Sequence, residues 1–139
     1  QIKKEQTRIF SFVNRKTGVI PHVVEDKLKQ TMWDLVGIFR DEKKLLKAKK
    51  EIAKLIIEAK KMKPRTNLKE RNRDLQDCLE IENMIVTAES VVDAAILRKE
   101  SRGAHSRTDY PKTLEEWRKN IVIKNNKGKI VTNIINVIE

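Results

Sequence analysis

Ser101, His105 and Asp109 recur at four-residue spacing, and their side chains are those of a nucleophile, a general base and an orienting carboxylate. Spacing alone does not make a triad, because the three groups must converge in space and Gly103 reads as the end of a helix between them. Hydrolysis is therefore a chemistry the residue types allow and the local pattern does not promise. The same stretch, Arg98 to Pro111, also gathers Arg98, Glu100, Arg102 and Arg107. A solvated helix end has no need of so many charges of both signs, so the cluster indicates ion pairing with another surface. The expected interface set is Arg98, Glu100, Ser101, Arg102, His105, Arg107, Asp109, Tyr110 and Trp117.

Other chemistries find little support. His22, His105 and Cys78 are too few and too scattered for a zinc site, which takes about four ligands. Gly18, Gly37, Gly103 and Gly128 are isolated, so no glycine-rich phosphate loop is present. Catalytic, cofactor and metal residues are accordingly expected to be none in this chain. Lys plus Arg number 31 against 20 Asp plus Glu, a formal charge of +11 that draws polyanions and keeps a basic RNA-binding helical module as the alternative reading. Lys43, Lys47, Lys50, Lys54 and Lys61 recur opposite the apolar positions of one helix, however, with no aromatic side chain among them for base stacking. A solvated helix face is the simpler account, and no nucleic acid is expected as a partner. One cysteine, Cys78, excludes an internal disulfide.

The elements that must position these groups read as helices. With 37% charged and only 4% aromatic residues, the core must come from Ile, Leu, Val and Ala. Ile2, Ile9, Phe10, Phe12 and Val13 predict a short amphipathic helix that breaks at Lys16-Thr17-Gly18. Pro21 opens a second, carrying Val24, Leu28, Met32, Leu35 and Val36, with Trp33 and Met32 expected on its core side. Asp41 is a cap for a third, whose stripe is Leu45, Leu46, Ala48, Ile52, Leu55, Ile56 and Ala59, ending near Pro64. Asn67 with Glu70 has the form of a capping box for the longest helix, lined by Leu75, Cys78, Leu79, Ile85, Ala88, Val92, Ala95 and Ile96, with Met84 also expected in the core. Thr113 with Glu116 predicts a further capping box before Trp117, itself expected at an interface. From Ile121 to Ile138 the β-branched residues, broken at Asn125-Asn126-Lys127-Gly128, predict a hairpin with Ile121, Ile123, Ile130 and Ile134 on its apolar side. The fold class is mainly α: an antiparallel three-helix bundle, spectrin-repeat-like, with a short N-terminal helix and a C-terminal β-hairpin. One domain over 1–139 is expected, with bundle and signature loop in 1–112 and short helix plus hairpin in 113–139. No apolar run approaches a membrane span and no start methionine precedes Gln1, so the chain reads as a piece of a longer, unexported protein that does not itself insert in a membrane.

Ala94-Ala95, then Arg98-Lys99-Glu100-Ser101-Arg102-Gly103-Ala104-His105-Ser106-Arg107, then Asp109-Tyr110-Pro111, resemble the signature of the C-terminal domain of succinate dehydrogenase and fumarate reductase flavoprotein subunits. Met32 with Val36-Gly37-Ile38 and Arg40, Glu82-Asn83 with Ala88, and Glu116-Trp117-Arg118-Lys119 extend the resemblance over nearly the whole chain. L-aspartate oxidase, adenylylsulfate reductase and the thiol-driven fumarate reductase of methanogens are relatives sharing parts of the pattern, and the L-aspartate oxidase domain is the alternative within the family. The resemblance implies a support domain, not itself catalytic, docked on an FAD-binding domain outside this chain. There the family keeps its flavin site, the histidine that can carry flavin covalently and the arginine that shuttles a proton. It implies FAD in the full-length parent, interconversion of succinate and fumarate, partnership with an iron-sulfur subunit, and a place in the cytoplasm or on the cytoplasmic face of a membrane through partner subunits.

Overall fold

A computed structural model describes residues 1–126 and 129–137. The fold is mainly α, as the periodicities imply, with α1 (Ile2–Ser11), α2 (Pro21–Val36), α3 (Glu42–Ala59) and α4 (Arg73–Leu97). Two-residue strands β1 (Phe39–Arg40) and β2 (Ser106–Arg107) pair in parallel, and a single 3-10 turn spans Glu115–Trp117. An antiparallel pair, β3 (Lys119–Asn126) and β4 (Lys129–Asn136), follows. Helix α2 starts at Pro21, where a missing N–H is harmless. Helix α3 is capped as expected, with the Lys44 amide donating to Asp41 Oδ1 at 2.8 Å.

The chain packs as two compact units, residues 1–30 with 51–87 and residues 31–50 with 88–139. The first contains the start of α2, the end of α3 and the start of α4, the alternation that an up-down-up run of helices produces. Its core is Val24, Leu28, Ile52, Leu55, Ala59, Leu75, Cys78, Ile81 and Ile85, joined by Phe12 and Val13 just past α1. Burial pushes the Cys78 thiol up to about 12, so it is an inert core side chain. Gly18 lies where a Cβ would meet Lys63 Cβ at 2.7 Å and run into the Lys61 carbonyl, because Val19 pairs with the backbone of Lys61 and Lys63 there. The second unit buries Val36, Leu45, Ala48, Ala88, Val92 and Ala95.

Several local expectations are corrected. The cap of α4 is Asn72, not Asn67: the Leu75 amide donates to Asn72 Oδ1 at 3.1 Å, while Asn72 Nδ2 donates to the Thr66 and Leu68 carbonyls. Arg65 clamps Asp74 with two guanidinium bonds of 2.8 Å and so holds residues 66–71 as a loop. Thr113 caps nothing; its hydroxyl donates to the Ser101 carbonyl at 2.6 Å, and the turn after it has no side-chain cap. Trp33 is 82% exposed, because the buried positions of α2 are Val24, Leu28 and Val36, and a residue one step past Met32 is rotated about 100° off that stripe. Leu46 is exposed for the same reason beside buried Leu45, and Met32 and Met84 are half-buried.

In the hairpin Ile121 faces Ile134, Ile123 faces Thr132 and Asn125 faces Ile130, so the four expected isoleucines do share one side. Asn126 pairs with Lys129; the expected turn residues Lys127 and Gly128, and Ile138, lie outside the described residues.

Candidate functional site

Helix α4 ends at Leu97, six residues before Gly103, so the glycine does not stop it. Its last carbonyls are met by side chains from the loop beyond. Arg107 Nη1 donates to the Ala95 carbonyl at 2.9 Å, and the His105 ring nitrogen Nε2 lies 3.2 Å from the Arg98 carbonyl. A guanidinium at the negative end of a helix is favourable both as donor and as charge. Gly103, at φ +57°, instead makes the tight turn in which Arg102 and His105 exchange backbone hydrogen bonds of 2.9 and 3.1 Å.

Arg107 is completely enclosed and grips Asp109 with two parallel bonds of 2.7 Å. Asp109 in turn accepts the Glu42 amide at 2.9 Å in the first turn of α3. One bidentate pair thereby joins the negative end of α4 to the positive start of α3. Arg107 holds Asp109 at about 2, against the opposing effect of burial. Parallel pairing of β1 with β2 sets the register, with the Ser106 amide donating to the Ile38 carbonyl and the Thr108 amide to that of Arg40.

Glu100 is the second enclosed charge. Its carboxylate accepts from Arg98 Nη1 at 2.7 Å, Arg102 Nε at 2.9 Å, Arg102 Nη2 at 3.3 Å and the Leu114 amide at 2.8 Å. Burial pushes its pKa up, but Arg102, the Leu114 amide and Arg98 together bring it down to about 2. Arg98 also donates to the Trp117 and Lys119 carbonyls, at 2.9 and 2.7 Å, and its guanidinium lies 5.6 Å from the centre of the Trp117 ring. Arg102 donates to the Leu114 carbonyl at 3.0 Å, so the loop is tied to the chain that enters β3.

Ser101 donates its hydroxyl to the Tyr110 carbonyl at 2.9 Å and accepts the Arg107 amide at 2.8 Å. His105 Nδ1 faces Arg40 Nη1 at 2.8 Å, which makes Nδ1 the acceptor and leaves Nε2 to carry the proton toward the Arg98 carbonyl. Burial and the guanidiniums of Arg40, Arg107 and Arg98 lower its pKa against the pull of that carbonyl. Ser101, His105 and Asp109 thus have three different sets of partners and form no hydrolytic triad. Two cations lie over the Tyr110 ring, the Arg107 guanidinium 4.9 Å and the Lys99 amine 5.9 Å from its centre.

The interface expectation needs revision at two residues. Glu100 and Arg107 have no exposed surface and are satisfied within the chain, so they position the loop and can touch nothing beyond it. Arg102 and Asp109 are exposed, and His105, Tyr110 and Trp117 are partly so. Arg40 and Glu42 belong to the same cluster and lie more than sixty residues away in sequence; the β1–β2 pairing sets Arg40 opposite Arg107, and the Glu42 amide meets Asp109 at the start of α3. Beside them Ile38 and Phe39 are 59% and 70% exposed. Of the three described glycines, Gly18 and Gly37 face the chain's own backbone and Gly103 faces open space. Among the described residues no group of acidic, His and Cys side chains could hold a metal, and no helix is long and apolar enough to cross a membrane.

The described residues thus form a mainly helical scaffold that carries a charge-paired loop and a terminal strand pair. Residues 25–137 match the family described as fumarate reductase flavoprotein C-term, and the chain belongs to that family. It is 43% identical over 127 residues to an uncharacterized FAD-dependent oxidoreductase of Methanocaldococcus jannaschii, covering 90% of this chain and 22% of that protein. It is 36% identical over 123 residues to a fumarate reductase (CoM/CoB) subunit of Methanothermobacter marburgensis, covering 88% and 22%. The solved structure of Mycobacterium smegmatis Sdh1 in complex with UQ1 superimposes with a TM-score of 0.92 at 26% identity, over 99% of this chain and 24% of that one. The chain spans about a fifth of the length of the curated relatives it matches.

Proposed function

We propose that this chain is the bracing domain of a flavoprotein subunit that interconverts fumarate and succinate, and that it holds the flavin-bearing portion in place without touching the reacting atoms. The observation that carries this reading is the family match over residues 25–137 in a chain covering only 22% of each relative's length. The geometry agrees with it. The Ser101 hydroxyl, the His105 ring and the carboxylates of Glu100 and Asp109 are all engaged in holding one loop against helix ends. Such a site supplies shape and charge rather than a proton or a nucleophile. FAD would be held by the portion outside this chain and would supply the hydride chemistry there. An iron-sulfur subunit is the fitting electron partner, and a cytoplasmic position, free or at a membrane through that partner, is the fitting location.

The test is to purify the full-length polypeptide, record its flavin absorbance, and assay fumarate reduction with a reduced dye alongside oxidation of succinate and of L-aspartate. A yellow protein that acts on fumarate or succinate supports the reading. A colourless protein, or one that oxidises only L-aspartate, overturns it.

A further inference from the structure

Four guanidiniums converge near the end of α4, and three of them have carboxylates. Glu100 pairs with Arg98 and Arg102, and Asp109 pairs with Arg107. Arg40 pairs with no carboxylate among the described residues. Its Nε donates to the Val36 and Gly37 carbonyls at 3.2 and 2.6 Å, and its Nη1 meets His105 Nδ1 at 2.8 Å. Nη2 makes no hydrogen bond among the described residues. Arg40 is half-buried, and burial alone lowers its pKa, whereas Arg102 and Arg107, which have acidic partners, are raised. His105 cannot relieve the charge, because its lone pair already serves Arg40 and its other nitrogen faces a carbonyl.

The unpaired guanidinium opens onto a cleft of about 320 Å³. Arg98 and His105 form its other polar wall, while Val91, Ala94 and Ile121 supply an apolar one. A half-buried cation facing an apolar wall favours an anion that arrives with its own hydrocarbon stem. We infer that this cleft receives an aspartate or glutamate side chain from the flavin-bearing portion of the same polypeptide, which pairs with Arg40. The inference rests on the proposed function. Charge complementarity selects the chemistry: the cleft presents Arg40, Arg98 and a neutral histidine and offers no acid of its own. The relatives' length selects the source, since most of each lies outside the part that this chain matches.

The experiment uses the full-length polypeptide carrying Arg40→Lys, treated with a carbodiimide that condenses an amine and a carboxyl in direct contact, followed by peptide mapping. The expected product is an amide from position 40 to an Asp or Glu outside residues 1–139. Lys49 and Asp93, 2.7 Å apart, are the internal control. An amide from position 40 to an acid within 1–139, an amide to a second polypeptide, or none in a sample where Lys49 and Asp93 are joined overturns the inference; the last result would point to a free carboxylate or phosphate as occupant. Val91→Lys, which places an amine in the lining of the same cleft and leaves Arg40 intact, gives the same readout should Arg40→Lys fold poorly. Flavin content and fumarate turnover are measured before cross-linking. A flavin-bearing, fumarate-reducing sample without the amide removes this inference and leaves the proposed function standing.

Discussion

Arg107 and Glu100 are charges without solvent, and such groups persist only when every donor and acceptor is matched. Arg107 achieves this with one carboxylate and helix-end carbonyls, Glu100 with two guanidiniums and an amide. Removing one partner of a buried pair typically costs about 3–5 kcal/mol, because the other is left behind uncompensated. The pairing also fixes how stability depends on pH. His105, with a pKa below 6.5 in the folded state, takes up its proton first in the unfolded chain. Its contribution is therefore complete above 6.5 and is lost as pH falls toward the lower folded value. Glu100 and Asp109 lie at about 2, down from 4.5 and 3.8, so their contributions persist above those values and disappear between them and about 2. Denaturant midpoints measured across this range should decline in two stages. His105→Gln, which can still accept from Arg40 and donate to a carbonyl, should abolish the earlier stage and leave the later one. A single decline confined to the carboxylate range in the unaltered chain would contradict this account.

At the scale of elements, what can be read from sequence is local. Pro21 and Asp41 announce helix starts because each acts on its own neighbours, and the hairpin follows from alternation around Asn125-Asn126. The start of α4 escapes such a reading because Asn67 with Glu70 has the right pattern, while Arg65 gripping Asp74 holds that stretch out of helix. Nothing in a periodicity announces such a clamp. Asn72→Ala is accordingly expected to lower stability by about 1 kcal/mol or more, since it loses a cap and two donors to loop carbonyls. Asn67→Ala should change the urea midpoint far less. Equal effects would return the cap to Asn67. The charged loop is legible as a cluster, and its residue types say that it pairs. That Glu100 and Arg107 are the enclosed members is not legible, because residue types do not say which charges of a cluster lose their solvent, and that Arg40 and Glu42 join it is not legible because they lie far away in sequence.

Across the whole molecule, hydrophobic side chains are not all withdrawn. Trp33, Ile38 and Phe39 are exposed in the unit that also carries the signature loop, although Trp33 beside Met32 reads as core in sequence. Adjacency in sequence is a rotation of about 100° on a helix, which separates the two faces. Trp33→Ser should therefore change the unfolding free energy of residues 1–139 by no more than about 0.5 kcal/mol, where a core tryptophan would cost about 3–5. A loss in that larger range would return Trp33 to the core. In the proposed bracing role, the knot around Glu100 and His105 supports a flavin-bearing portion of the full-length polypeptide and takes no part in the chemistry. That role is tested most directly by the rate of fumarate reduction per bound flavin in the full-length polypeptide carrying Glu100→Gln or His105→Gln. Total activity should fall only as far as flavin content falls, leaving the rate per flavin unchanged. A large drop in that rate with flavin fully retained would show that the knot takes part in the reaction, and would contradict the account.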